Sequence, residues 1–198
     1  MRNIMNRNFA LFIVISIFLL SGCGPTVTKS VYLSSDFEPM QIDSIVVPLP
    51  LDLRINTNEE FGYWEKIQKG AINELKQRGY NVIKLSSIPE NIPSVDEELN
   101  QIHPPWLKEV KIPSGRYLLI IGLVDFESRF TFGSLATAEL TGYLYDLNKE
   151  LMIWHNKGVG RDGQAGIAGM LLKPLVTDTA IRSSISLLMS GIPIKERD

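Results

Sequence analysis

The chain has one cysteine, Cys23, and it follows directly on an apolar run, Phe9 to Leu20, that is broken only by Ser16. Arg2 and Arg7 precede the run and no acidic residue accompanies them. A positive start, a short apolar stretch and small residues behind it make the layout of a secretory signal. The run falls short of the ~20 residues that a comfortable transmembrane helix needs. The consequence for folding is direct. With its only cysteine spent in the leader region, the rest of the chain can form no internal disulfide, in a compartment that would permit one. It must hold together by core packing, and 198 residues with 44% hydrophobic content suffice for one core.

Leu20-Ser21-Gly22-Cys23 resembles a bacterial lipobox. The resemblance implies that Leu20, Ser21 and Gly22 are the signal-peptidase recognition residues, that residues 1–22 are removed, and that Cys23 is the site of lipid attachment. Each buried CH₂ of an acyl chain contributes roughly 0.8 kcal/mol, so several chains on one cysteine hold a domain firmly to a membrane. The position after the cysteine is Gly24, not an acidic residue; by resemblance this favours the outer membrane, with the protein facing the periplasm. Loss of residues 1–22 removes Arg2 and Arg7, so 20 basic residues become 18 against 22 acidic ones, a net charge of −4. That balance gives no support for nucleic-acid binding, which wants a basic stripe. Residues 23–41 read as the lipidated cysteine and its tether, with a short extended piece at Val31-Tyr32-Leu33, and residues 42–198 as a single globular periplasmic domain.

The pattern predicts an α/β chain of the α+β kind, with a mixed sheet of about five strands in the order strand, helix, strand, short helix, three-strand meander, helix. Ile45-Val46-Val47-Pro48-Leu49 is a buried strand ended by proline. Thr57-Asn58-Glu59-Glu60 reads as a capping box opening a helix, with Phe61, Trp64, Ile67, Ala71, Ile72 and Leu75 on its apolar face and Gly79 as its stop. Trp64 on that face is expected in the core. Tyr80 to Leu85 is the second strand, completing a βαβ unit. Ser86 to Pro113 is broken by prolines, and only Ser94 to Ile102 looks helical, opened by Ser94 with Glu97. Tyr117 to Val124 is apolar enough for a central strand, and alternation continues through Phe132. Strands over Thr137–Tyr145 and Leu151–Trp154 complete the meander. A final helix over Gly166 to Met189 carries Pro174, which must kink it or begin a new first turn.

Few residues suggest chemistry. Asp125 and Glu127 share a strand face, as paired catalytic carboxylates would, but two acids at that spacing read better as a solvated face. His103 reads as an exposed loop histidine, and with His155 far from it in sequence no metal site is expected. Gly158, Gly160 and Gly163 match G-x-G-x-x-G, yet no strand follows the next helix, so the dinucleotide context is missing. The segment is expected to be a flexible lead into the last helix. Gly158 to Leu172 is also rich in glycine and aliphatic residues and almost uncharged after Arg161-Asp162. Either it packs against another subunit or an envelope partner, with Gly166, Gly169 and Met170 at the interface, or it is a hinge before a helix buried under its own sheet.

The order of elements, Ile45 to Pro50, Arg78-Gly79-Tyr80-Asn81-Val82, and Tyr145-Asp146 followed by Leu151-Met152-Ile153-Trp154 resemble the amino-terminal domain of TolB and its relatives. Those relatives include LpoB-type lipoproteins and the CsgG secretion lipoprotein. The resemblance implies a non-enzymatic interaction or assembly factor of the cell envelope, with no cofactor. Its partners would be the membrane through Cys23, an envelope protein and other copies of itself, and no nucleic acid. The alternative is a small-ligand or nucleotide-binding domain using the glycine-rich segment 158–169. No stretch is long enough to supply the pore hairpins of CsgG, so no pore is expected.

Overall fold

The computed structural model describes residues 32–55, 61–112, 115–129, 133–165 and 173–195. They form β1 (Tyr32–Leu33), β2 (Ser44–Val47), β3 (Leu51–Asp52), α1 (Trp64–Gln77), β4 (Asn81–Lys84), α2 (Asp96–Leu99), β5 (Tyr117–Arg129), β6 (Gly133–Asp146), β7 (Leu151–Ala165) and α3 (Lys173–Met189). All seven strands belong to one mixed sheet in the order β1-β7-β6-β5-β2-β4, with β3 beside β5. The class and element order are as expected. The strand number exceeds the expected five because β1 and β3, two residues each, join the edges of longer strands. Leu20, Ser21, Gly22, Cys23, Gly166, Gly169 and Met170 lie outside the described residues.

The βαβ unit is present: β2 and β4 pair in parallel from Ser44 with Asn81 to Val47 with Lys84. Gln68 of α1, fully buried, fastens it by donating Nε2 to the carbonyls of Val47 (3.0 Å) and Leu85 (2.7 Å) at the ends of both strands. Gly79 closes α1 with φ of +90°, a conformation that a side chain disfavours. β5 pairs in parallel with β2 and β3 and antiparallel with β6, and β6 pairs antiparallel with β7. β1 then pairs antiparallel with β7, and Phe37 is buried in the core. The packed structure thus reaches back to Tyr32, where a tether to residue 41 was expected.

Two helix starts differ from expectation. α1 begins at Trp64, behind Tyr63, and no side chain caps it; Thr57 to Glu60 lie outside the described residues. Phe61 is not helical. Its ring is buried against Tyr63, Trp64 and Phe126, with centroids 4.7–5.4 Å apart, and Gly62 beside it is a poor helix former. Trp64 is accordingly half-buried at the rim of the core, not inside it. α2 is a single turn whose N-cap is Val95, and Ser94 makes no cap bond. Pro174 lies in the first turn of α3, the second of its two expected roles.

The core lies on both faces of the sheet. One face, with Leu119, Ile121, Leu140, Ile153 and Trp154, is roofed by α1 and α3. The other, with Leu118, Ile120, Tyr143, Tyr145 and Met152, is covered by residues 86–112, a strap that includes α2 and contributes Leu99 and Leu107. Past the bulge at Leu123/Asp125 the three long strands continue as an arm that the strap does not reach.

Candidate functional site

The glycine-rich segment is strand, not a flexible lead. β7 runs through Gly158, Gly160 and Gly163, each paired with β6, opposite Leu140, Ala138 and Leu135. Gly158 and Gly160 face α3, and they are glycine because the helix backbone occupies the place of a side chain. A Cβ on Gly158 would stand 2.6 Å from the Leu188 amide nitrogen, and one on Gly160 would stand 2.5 Å from that of Ser184. Ala136 and Ala138 on β6 and Ala180 on α3, all fully buried, keep the same contact tight. Asn156 of β7 then donates to the Leu187 (3.3 Å) and Leu188 (2.7 Å) carbonyls in the last turn of the helix, the first of which also accepts from the Ser190 hydroxyl (2.7 Å). No phosphate can approach this backbone, and β7 is antiparallel to β6. The nucleotide reading of Gly158 and Gly160 is therefore wrong.

The opposite face carries a polar cluster. His155, 6% exposed, stacks on Tyr143 with ring centroids 4.6 Å apart, and its Nε2 lies 3.1 Å from the Thr141 hydroxyl. Tyr143 donates its hydroxyl to Asp96 of the strap, Tyr145 donates to the Leu99 carbonyl, and Lys157 lies 3.9 Å from Asp96. Burial pushes the His155 imidazole below its ordinary 6.5, Lys157 adds to the effect and Asp96 opposes it. Burial likewise pushes both tyrosine hydroxyls well up, so they remain protonated donors. The cluster ties the strap to the sheet. Sequence reasoning missed it; period-2 spacing from Thr141 through Tyr143 to Tyr145 was the available signal.

Two further surfaces stand out among the described residues. The first is the arm's open face, where the register brings Glu127, Thr137 and Arg161 into one row and Asp125, Glu139 and Val159 into another. Asp125 and Glu127 are exposed there, as expected for a solvated face, and Leu135 is 45% exposed. The second is a groove of about 720 Å³ along α1, lined by Lys66, Lys69, Lys76 and Lys84 around Tyr63, Ile72 and Val82. His103 is exposed, with Nδ1 3.3 Å from the Glu150 carbonyl. Among the described residues no three of His, Cys, Asp and Glu stand together as metal ligands would, and no helix is long and apolar enough to cross a membrane.

No protein-family model matches the sequence, and no curated protein is similar to it in sequence. Solved structures are similar to it to differing degrees. A single-substitution variant of PelC from Paraburkholderia phytofirmans, a dodecamer, superposes with a TM-score of 0.50 at 14% identity over 85% of this chain and 100% of that one. The PelC dodecamer in a second crystal form gives 0.49 at 13% identity over 83% and 99%. Lipoprotein GNA1162 from Neisseria meningitidis gives 0.44 at 20% identity over 68% and 95%. At such identities the PelC variant establishes likeness of fold, and the whole of that protomer lies within it.

Proposed function

We propose that this chain is a lipid-anchored lipoprotein of the bacterial cell envelope, a non-enzymatic interaction and assembly factor that works by contact with proteins, including copies of itself. Residues 1–22 are its signal peptide, Cys23 its lipid-bearing residue, and the domain faces the periplasm from the outer membrane. The observation that carries the reading is the arm, with one face sealed by α3 and the other open across three paired strands. On that open face Asp125 and Glu139 stand directly opposite each other, a like-charge pair that costs stability in a lone sheet and that a partner's cation would relieve. The dodecameric state of PelC, built on the same fold, supports self-association. The relation to TolB, LpoB and CsgG drawn from the sequence belongs to the same proposal.

Fractionation tests it. Cys23→Ser moves the protein from the outer-membrane fraction to the soluble periplasmic fraction, and the parent, solubilised in mild detergent, sediments as an oligomer. A Cys23→Ser protein that stays processed and membrane-bound refutes the anchor. A parent that sediments as a monomer at every concentration refutes the assembly.

A further inference from the structure

The groove along α1 is basic for a structural reason. Lys66, Lys69, Asn73 and Lys76 follow one another at spacings of three and four, so they share one face of the helix, and Lys84 joins them from β4. Lys66 is paired with Asp178 of α3, but among the described residues Lys69, Lys76 and Lys84 have no carboxylate partner. Glu65 is the only acid lining the groove among the described residues, whose apolar floor is Tyr63, Ile72 and Val82. In a chain with more acids than bases, this is a local reversal of sign.

The complement lies on the same molecule. Residues 86–102, the first part of the strap, contain Glu90, Asp96, Glu97 and Glu98 and no lysine or arginine. Asp96 is engaged by Tyr143, whereas Glu90, Glu97 and Glu98 are exposed. Ile88, Val95 and Ile102 of the same segment are 40%, 45% and 46% exposed. The strap thus offers exposed aliphatic side chains and carboxylates on one segment, and the groove an apolar floor framed by ammonium groups. The two lie on opposite faces of the sheet, so no chain can bring its own strap to its own groove.

Resting on the self-association proposed above, we infer that the α1 groove receives the acidic strap of a second copy. The contact joins two different patches, so it is head-to-tail, and repeating it builds a ring if the rotation closes or a filament if it does not. It also gives the strap two duties, as cover for its own core and as the surface read by the next subunit.

Charge reversal tests this on the full lipidated chain in detergent, with sedimentation velocity as the readout. Lys69→Glu with Lys76→Glu makes groove and strap both acidic, and Glu97→Lys with Glu98→Lys cancels the strap's negative charge, leaving Glu90 and Asp96 against two lysines; each double variant is expected to weaken assembly at least tenfold. All four side chains are exposed, so thermal melts should match the parent. Mixing the two variants restores pairing between unlike copies, because the unaltered acidic strap of the first then meets the unaltered basic groove of the second. If both variants assemble like the parent, this interface is wrong while self-association stands. A parent that never assembles removes the interface and the self-association together. If the lysine reversals abolish binding to phosphatidylglycerol vesicles but leave the sedimenting species unchanged, the groove serves a lipid surface and the inference is overturned.

Discussion

On the helical face of the sheet, Gly158 and Gly160 bring β7 against the backbone of α3 with no side chain between them. On the strap face, Tyr143, Tyr145 and His155 stand up from β6 and β7 and reach Asp96, the Leu99 carbonyl and Thr141. The first contact is close-packed and leaves no freedom. The second is a set of hydrogen bonds to a segment with little structure of its own, since the four residues of α2 cannot persist as an isolated helix. The strap also holds by the Met152 amide bonding to the Ile102 carbonyl (2.8 Å) and by Leu99 and Leu107 in the core. The difference assigns two roles: the helical face supplies rigidity, and the strap face can loosen without unfolding the sheet.

Truncation on the helical face should do the most damage. Trp154 is fully buried there, and Trp154→Ala should cost about 3–5 kcal/mol in denaturant unfolding. Trp64→Ala, at the half-buried rim, should cost about 1–2 kcal/mol, and equal losses would contradict the placement of the two rings. Overfilling is next. Gly160→Ala pushes a methyl into the α3 backbone, and a loss of up to about 3 kcal/mol is expected. A neutral result would show that α3 is free to lift from β7.

Smaller and differently distributed effects belong to the strap. Tyr145→Phe leaves the buried Leu99 carbonyl without its donor and should cost about 1–2 kcal/mol. Limited proteolysis should then cut residues 86–112 faster while the sheet core stays protected; uniform loss of protection would erase the distinction between the faces. The mildest test is acid. Burial, then Lys157, holds the His155 imidazole below 6.5, so the unfolded chain binds its proton first as pH falls. The stability it contributes is complete above about pH 6.5 and is lost as pH drops through the folded value. Melts between pH 7 and 5 should decline less steeply for His155→Gln than for the parent, and parallel curves would exclude His155 as the source.

The βαβ unit and the meander were readable because β-branched runs and strict alternation report burial directly, as at Ile45-Val46-Val47 and Tyr117 to Val124. The far half of β7 was not, because Gly158 and Gly160 stand at the positions facing α3 and erase the side-chain alternation by which a strand is recognised. The partners that explain those glycines, Ala138 on β6 and Ala180 and Ser184 on α3, are remote in sequence. The expectations that Phe61 is helical and that Ser94 caps α2 misled for a related reason. Capping patterns are local, whereas the ring of Phe61 and the carboxylate of Asp96 are claimed by distant partners, Phe126 and Tyr143. Asp125 and Glu127, whose reading needed only their own strand, were placed correctly. The lysine groove needed α1 and β4 side by side, and neither segment alone announces it.

The pairing of β1 with β7 has a kinetic consequence. Tyr32 meets His155 and Leu33 meets Trp154, so the first described strand can dock only after nearly the whole chain has been made. The β5–β6–β7 meander closes through short connections, and β2 finds β4 within the first half of the chain, whereas β1 must wait for a partner supplied late. A chain stopped before Leu151 would leave the segment nearest Cys23 unpaired and open to proteases, so docking of β1 marks a molecule in which the start of β7 has been made.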